Sequence, residues 1–498
     1  MPKKVVVIGA GFAGLSAATF MSKAGWEVHV VEQHGIPGGR ARQFRENGFL
    51  FDMGPSWYWM PDVFERYFRQ FGKKVSDYYL LQRLDPSYRI YWNDGLMDIP
   101  ASIDELKQIF ETLESGAALK LDRFLEEASY KYQVGMKKLV FKPGRSYLEF
   151  FDWDVITGVF RLDVFTSMKK HVHKYFKHPR LQQLLEFPVL FLGAMPEKTP
   201  ALYSLMNHAD ISGGTWYPAG GMYQIIDAMF QLAVENGVHF HFNEEAIEIS
   251  MYKNKASGVR TKQRSNGHQI TKHYEADVVI GSADYHFIES RLLPEQYRSY
   301  SESYWDKRVM APSCLLYYVG LNKRLDNIRH HSLFFDSPFD QHAREIYVTK
   351  EWPSHPLFYV SATSVSDESV APEGCENLFL LIPVAAGLEN DSTALREKYF
   401  DLIIARMEQH LGQSIKDAIV FKKSFAHSDF VNEYNSYKGN AYGLANTLMQ
   451  TAVLKPACRS KKVDNIFYTG QLTVPGPGVP PSLISGEVVA KQVLKYFG

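Results

Sequence analysis

Gly9, Gly11 and Gly14 stand in the run Gly9-Ala10-Gly11-Phe12-Ala13-Gly14 near the start of the chain. Such a loop does chemistry with its backbone. Free N–H groups at a helix start, with the partial positive charge of the helix end, bind the oxygens of a diphosphate. Gly9 permits the tight turn, Gly11 admits a pyrophosphate to the backbone, and Gly14 lets the helix lie close on the strand, with Ala13 as the small residue beside it. Glu32 follows at the distance where a carboxylate accepts hydrogen bonds from a ribose diol. The flanking elements make this short motif specific: residues 5–8 are an apolar strand, 15–23 a helix and 27–31 a second strand ending at Glu32. Together these residues predict a dinucleotide site.

A second group lies just beyond. Gly38-Gly39-Arg40 follows the second strand, and Gly54-Pro55-Ser56 closes a short hairpin-like segment. A guanidinium matches phosphate oxygens as a planar fork, so Arg40 can add donors to the same diphosphate. A nicotinamide dinucleotide needs no such clamp. There is no second Gly-x-Gly-x-x-Gly, and Cys-x-x-Cys, His-Glu-x-x-His and Gly-x-Ser-x-Gly are all absent. The pairs His171/His173 and His330/His331 are weak evidence for a ligand set.

The run from Val5 to Ser56 resembles the FAD-binding start of the glutathione-reductase-like flavoproteins, which include amine oxidases, carotenoid desaturases and GDP-dissociation inhibitors. The C-terminal end narrows the likeness. A strand ends in Tyr468-Thr469-Gly470-Gln471, and Pro475-Gly476-Pro477-Gly478-Val479-Pro480-Pro481 leads into a helix over residues 482–496. This resembles the C-terminal flavin motif of the bacterial-type phytoene desaturases. Trp216-Tyr217-Pro218-Ala219-Gly220-Gly221 and Ser282-Ala283-Asp284 resemble two further segments of that family, with Ser282 where Asn is usual. The resemblance implies FAD as cofactor. It places Gly470, Gln471 and the step Gly478-Val479-Pro480 along the isoalloxazine and ribityl chain, and the backbone of Ala246 against the adenine.

The fold class expected is α/β: a Rossmann-like FAD-binding domain, a mixed-sheet substrate domain and a helical, membrane-contacting subdomain. The FAD-binding domain is discontinuous, over residues 1–75, 216–290 and 456–498; the substrate domain takes 76–100, 193–215 and 291–455; the helical subdomain takes 101–192. Within these, residues 61–71 read as a helix and 88–99 as a hairpin turning at Asn93-Asp94-Gly95. Ser102 is placed as an N-cap, and 216–221 as a turn. Residues 224–236 read as a helix, and 238–242, 246–251, 276–281, 313–321, 357–362 and 377–384 as strands. A long helix spans 392–411, and 439–444 is a Gly/Tyr-rich loop bordering the cavity.

The chain of 498 residues is long enough for several domains and a large core. Lys and Arg number 55, as do Asp and Glu, so net charge gives no argument for a nucleic-acid partner. No apolar run reaches membrane-spanning length. Cys314, Cys375 and Cys458 lie far apart and read as buried apolar side chains of a reducing compartment. Residues 137–180 are different: ten Lys and Arg against four Asp and Glu, interleaved with aromatic residues. This composition suits a surface resting on anionic lipid headgroups, and equally a helical subdomain with an aromatic core.

No catalytic set of side chains emerges, which fits chemistry carried by a flavin. The resemblance implies an FAD-dependent carotenoid desaturase that removes hydride and a proton from a long apolar polyene such as phytoene. It implies a quinone or oxygen as electron acceptor and a cytoplasmic location on the inner face of the membrane. Trp57, Tyr58 and Trp59 are placed at the flavin-facing end of a tunnel. A carotenoid isomerase, a desaturase or ketolase of an already modified carotenoid, an amine oxidase, and a GDP-dissociation-inhibitor-like prenyl chaperone share the fold. The intact Gly9, Gly11, Gly14, Glu32 and Arg40 argue against the last.

Overall fold

Val5, Val6, Val7 and Ile8 are buried on both faces of the strand Lys4–Ile8. A strand covered on both sides reads as a continuous apolar run, because neither face meets water. It sits at the centre of a five-stranded parallel sheet in the order Ile466–Tyr468, Val278–Gly281, Lys4–Ile8, Glu27–Glu32, His239–Phe242. The chain is described here from a computed structural model over residues 1–146, 149, 163, 165–193, 195–265 and 268–498; for residues 191, 192, 264, 265, 268 and 448 only the backbone is described.

Side-chain alternation divides the cover of this sheet. Val5 and Val7 face a layer of helices that includes Phe12–Lys23, Tyr223–Glu235 and Val479–Phe497. Val6 and Ile8 face an antiparallel meander of Glu244–Tyr252, Lys255–Ser265 and His268–Glu275. The last two strands have no counterpart in the sequence reading. Their outer faces carry Lys, Arg, Gln and His, so no apolar alternation marks them.

The second sheet has seven strands: Ile419–Phe425, Ser313–Leu321, Glu376–Val384, Phe358–Ser361, His331–Phe334, Tyr88–Trp92 and Gly95–Ile99. It is mixed, because His331–Phe334 pairs parallel with Tyr88–Trp92 while the other pairs are antiparallel. All nine residues of Ser313–Leu321 are buried. Leu315, Tyr317 and Val319 pack against the helix Thr393–Leu411, and Cys314, Leu316 and Tyr318 face the other way, toward the first sheet. The sheet is thus a partition with a filled side and a side that borders the site. The helices Ile103–Leu113, Ala117–Val134, Met168–Tyr175 and Pro179–Glu186 close one end of the molecule, the first capped by Ser102 Oγ accepting from Glu105 N.

Four expectations need correction. The first helix begins at Phe12, not at 15, so its free N–H groups lie directly beside Gly11. The C-terminal helix begins at Val479, not at 482; prolines fit a first helical turn, where no N–H is required. Trp216–Pro218 is a short strand paired with Leu81–Arg83, where a turn was expected, because distant partners offer its aromatic residues a sheet edge. Cys375 is half-buried, whereas Cys314 and Cys458 are buried as expected, and all three are free. Tyr147, Phe150, Phe151, Trp153 and Phe160 of the basic, aromatic stretch lie outside the described residues. Its described aromatics divide: Phe176 is core, Tyr175 packs against it, and Phe165 is 84 % exposed. No helix among the described residues is long and apolar enough to cross a membrane.

Candidate functional site

The two ends of the chain meet over one cavity of about 390 Å³. At one end the strand Lys4–Ile8 runs into the helix Phe12–Lys23 through Gly9, and Gly11 lies open to the cavity. A Cβ on Gly14 would fall 2.0 Å from the Gly9 carbonyl oxygen, so only glycine lets the helix start so close to the strand end. Gly14 therefore shapes the loop, as its place in the motif predicts, and is not among the residues that line the cavity. Gly9, Gly11 and Ala13 do line it.

The second glycine group is folded onto the first. Gly38 N donates to Ala10 O at 2.8 Å, which brings Gly38, Gly39 and Arg40 to the cavity edge. Glu32 is 5 % exposed; its two carboxylate oxygens accept from Ala10 N at 2.8 Å and His34 N at 3.0 Å. Those bonds fix the carboxylate and leave lone pairs free for a diol. Ala246 lines the same end, and its neighbour Glu244 is pinned by the Thr261 and Tyr274 hydroxyls.

Arg40 is a half-buried cation of the site. Its Nη2 donates to Ser436 Oγ at 2.9 Å and to Asn440 O at 3.3 Å, and its guanidinium lies 5.4 Å from the centre of the Tyr434 ring. With its carbonyl oxygen turned toward the arginine, Gln471 accepts from both terminal nitrogens, at 3.0 and 3.2 Å. Burial lowers the Arg40 pKa and raises that of Asp284, and each charge opposes the shift of the other. Arg40 Nε is buried without a partner. An unsatisfied guanidinium N–H, a row of glycine backbone and an open position at Gly11 together accommodate an anionic diphosphate. The residues present therefore fit FAD. Gly54, Pro55 and Ser56 line the middle of the cavity, and Gly470, Gln471, Gly478, Val479 and Pro480 its C-terminal wall. Arg40 and Val479, far apart in sequence, border the same space.

The other end is apolar. Cys314 and Leu316 project from one strand, Phe379 and Leu381 from the next, and Tyr359 from a third. Trp57 and Trp59 line the cavity as expected. Tyr58 does not: its hydroxyl lies 2.8 Å from that of Tyr79 and its ring packs on Phe64, because adjacent residues of an extended segment point to opposite sides. Ala441 and Tyr442 of the Gly/Tyr-rich loop border the space. Burial pushes the Cys314 thiol up to about 12, so it is not a nucleophile. The carboxylates and the guanidinium lining the cavity, Glu32, Glu244, Glu245, Asp284 and Arg40, all lie at the nucleotide end.

Sequence reasoning missed Asp284 as a lining residue, although it stands in a motif singled out above. It missed the sheet face of Cys314, Leu316, Tyr359, Phe379 and Leu381 altogether. Strand periodicity groups these residues in pairs, but strands apolar on both faces do not announce which face borders a ligand.

A dinucleotide cradle joined to an apolar chamber defines an FAD-dependent oxidoreductase. The profile of the flavin containing amine oxidoreductases matches residues 12–494, and the chain belongs to that family. It is 41 % identical to a carotenoid 3,4-desaturase of Haloarcula japonica, over 99 % of this chain and 98 % of that one. It is 30 % identical to a zeta-carotene-forming phytoene desaturase of Myxococcus xanthus, over 99 % of this chain and 94 % of the other. A solved oxidoreductase structure from Methanosarcina mazei shares the fold, with a TM-score of 0.63 at 17 % identity, covering 98 % of this chain and 100 % of that one.

Proposed function

We propose that this protein is an FAD-dependent carotenoid desaturase that introduces double bonds into a long apolar polyene. One observation carries the reading: a single cavity holds Gly11, Arg40 and Gly470 at one end and Trp57, Leu316 and Phe379 at the other. Bound FAD supplies a two-electron hydride acceptor. The chain does the rest. Gly9, Gly11, Gly38, Gly39 and Arg40 would hold the diphosphate, Glu32 the ribose and Ala246 the adenine. Gly54 to Ser56, Gly470, Gln471, Gly478, Val479 and Pro480 would hold the flavin end. The apolar wall orients the polyene and excludes water.

The names of the relatives divide the substrate reading in two. Phytoene is one. Desaturation of an already modified carotenoid at its 3,4 bond is the other, and the higher identity to the 3,4-desaturase favours it. Incubating the flavin-loaded protein with each carotenoid in vesicles separates them. Each desaturation removes two hydrogens from the product mass. An unchanged mass with altered chromatographic retention would instead mark an isomerase, and no product from any carotenoid would end the proposal.

A substrate that partitions into lipid supports a peripheral position at the membrane; we propose its cytoplasmic face, with a quinone or oxygen as electron acceptor. The basic residues of 137–180 and the exposed Phe165 support contact with anionic headgroups. Flotation with anionic and with zwitterionic vesicles tests it; equal failure to float with both excludes the contact.

A further inference from the structure

Resting on the desaturase reading above, we propose that Tyr359, backed by His331, is the proton acceptor of the reaction. Removing hydride from an allylic carbon leaves a delocalised cation, and the neighbouring C–H bond becomes acidic. A weak base in contact with the polyene is then sufficient, provided that the proton has somewhere to go. The apolar end of the cavity holds few polar atoms. Among its described residues, the Tyr359 hydroxyl is the one backed by an imidazole.

The geometry follows from the second sheet. His331–Phe334 and Phe358–Ser361 pair antiparallel with His331 opposite Ser361 and Leu333 opposite Tyr359, which places His331 and Tyr359 diagonally on one face. His331 Nδ1 and the Tyr359 oxygen are 2.6 Å apart. Tyr359 lines the cavity; His331 is fully buried behind it. On its other side His331 lies flat on Trp57, with ring centres 4.2 Å apart and planes 10° from parallel. Burial and the neighbouring His330 hold the His331 pKa well below its usual value, so the ring is neutral at rest, and the tautomer with its proton on Nε2 leaves Nδ1 to accept from the Tyr359 hydroxyl.

The step balances. One C–H bond breaks with its electron pair, as a hydride that bound FAD would take up. On the adjacent carbon the C–H pair becomes the second bond of the new C=C, and its proton goes to the Tyr359 oxygen. The phenolic proton moves to His331 Nδ1. The substrate loses two hydrogens and two electrons: the hydride, with its electron pair, would go to the bound cofactor, and the proton leaves one positive charge on His331. The Trp57 face stabilises that charge, as an aromatic face does a stacked cation. Tyr359 touches the substrate and is the catalytic residue; His331 and Trp57 are positioning residues.

The test uses the full-length, flavin-loaded protein with the carotenoid that the wild type converts, carried in vesicles. Tyr359→Phe is expected to keep its flavin and the absorbance shift of bound polyene, to change KM less than about threefold, and to lower kcat by about 100-fold. Deuterium at the carbon that loses the proton is expected to slow Tyr359→Phe more than wild type, because proton loss becomes rate-limiting. His331→Asn, which leaves the cavity wall in place, is expected to lower kcat in the same direction. A Tyr359→Phe protein with wild-type kcat, or one with raised KM alone, overturns the proposal. So does a flavin-loaded His331→Asn protein with wild-type kcat and isotope effect, should Tyr359→Phe fail to fold. A wild type that converts no carotenoid fails the desaturase reading itself, a distinct outcome.

Discussion

Gly486 of the C-terminal helix packs directly on Ala13 of the N-terminal one: a Cβ at Gly486 would lie 2.4 Å from the Ala13 carbonyl oxygen and 2.6 Å from Ser16 Cβ. Ala13, Ser16 and Ala17 present a flat strip of small side chains, and Gly486 lets the second helix approach it. This contact joins the two chain ends that frame the dinucleotide cradle. Gly486→Ala forces the helices apart and is expected to cost about 1–3 kcal/mol. Thermal unfolding measures it, and the ratio of flavin to protein absorbance is expected to fall with it.

Arg40 borders the cavity beside the glycine loop, and its Nε is buried without a partner. Arg40→Met leaves Asp284 buried without its cation. Flavin titration of the apoprotein is expected to show affinity weakened by about 10²-fold, in line with hydrogen bonds to a charged group. Arg40→Lys keeps the charge but loses the fork, and is expected to fall between wild type and Arg40→Met.

Asp210 is buried and accepts from the Tyr88 hydroxyl at 2.7 Å, and burial raises its pKa to about 7. A carboxyl whose folded pKa lies above its unfolded value contributes stability that is full below the unfolded pKa and lost as pH rises through the folded one. Stability is therefore expected to decline between about pH 4 and pH 7. Asp52, raised to about 6 by burial, adds to the same slope. Asp210→Asn removes the Asp210 share, so its Tm is expected to vary less over that range than that of wild type.

Cys314 and Cys458 are buried, and burial pushes both thiols up to about 12. Cys375 is half-buried. A thiol reagent at neutral pH is expected to label Cys375 alone in the native protein and all three cysteines after denaturation. Mass spectrometry of the labelled peptides checks this.

The motifs that could be read in advance are those that close on themselves within a few residues. The loop from Gly9 to Gly14 needs only its own backbone, a strand before it and a helix after it, so its residue types announce its geometry. The hairpin at Asn93-Asp94-Gly95 and the cap at Ser102 belong to the same kind. Tyr58 shows the limit. The cluster Trp57-Tyr58-Trp59 was legible as aromatic, but which rings face the cavity depends on Tyr79 and Phe64, and they decide it by packing.

The sequence by itself determined the dinucleotide cradle, because glycine conformations and helix-end charge are local properties, and its resemblance to the flavoproteins implied FAD; where the Arg40 fork lies depended on Ser436, Asn440 and Gln471, far along the chain. Tertiary structure decided the chemistry of the apolar chamber. Leu315 and Leu316 are equally apolar and equally buried, yet one packs on a helix and the other borders the site. His331 and Tyr359 become a pair only when antiparallel strands set their register. Register and facing are fixed by partners far along the chain, and a strand buried on both sides carries no mark of which partner each face will meet.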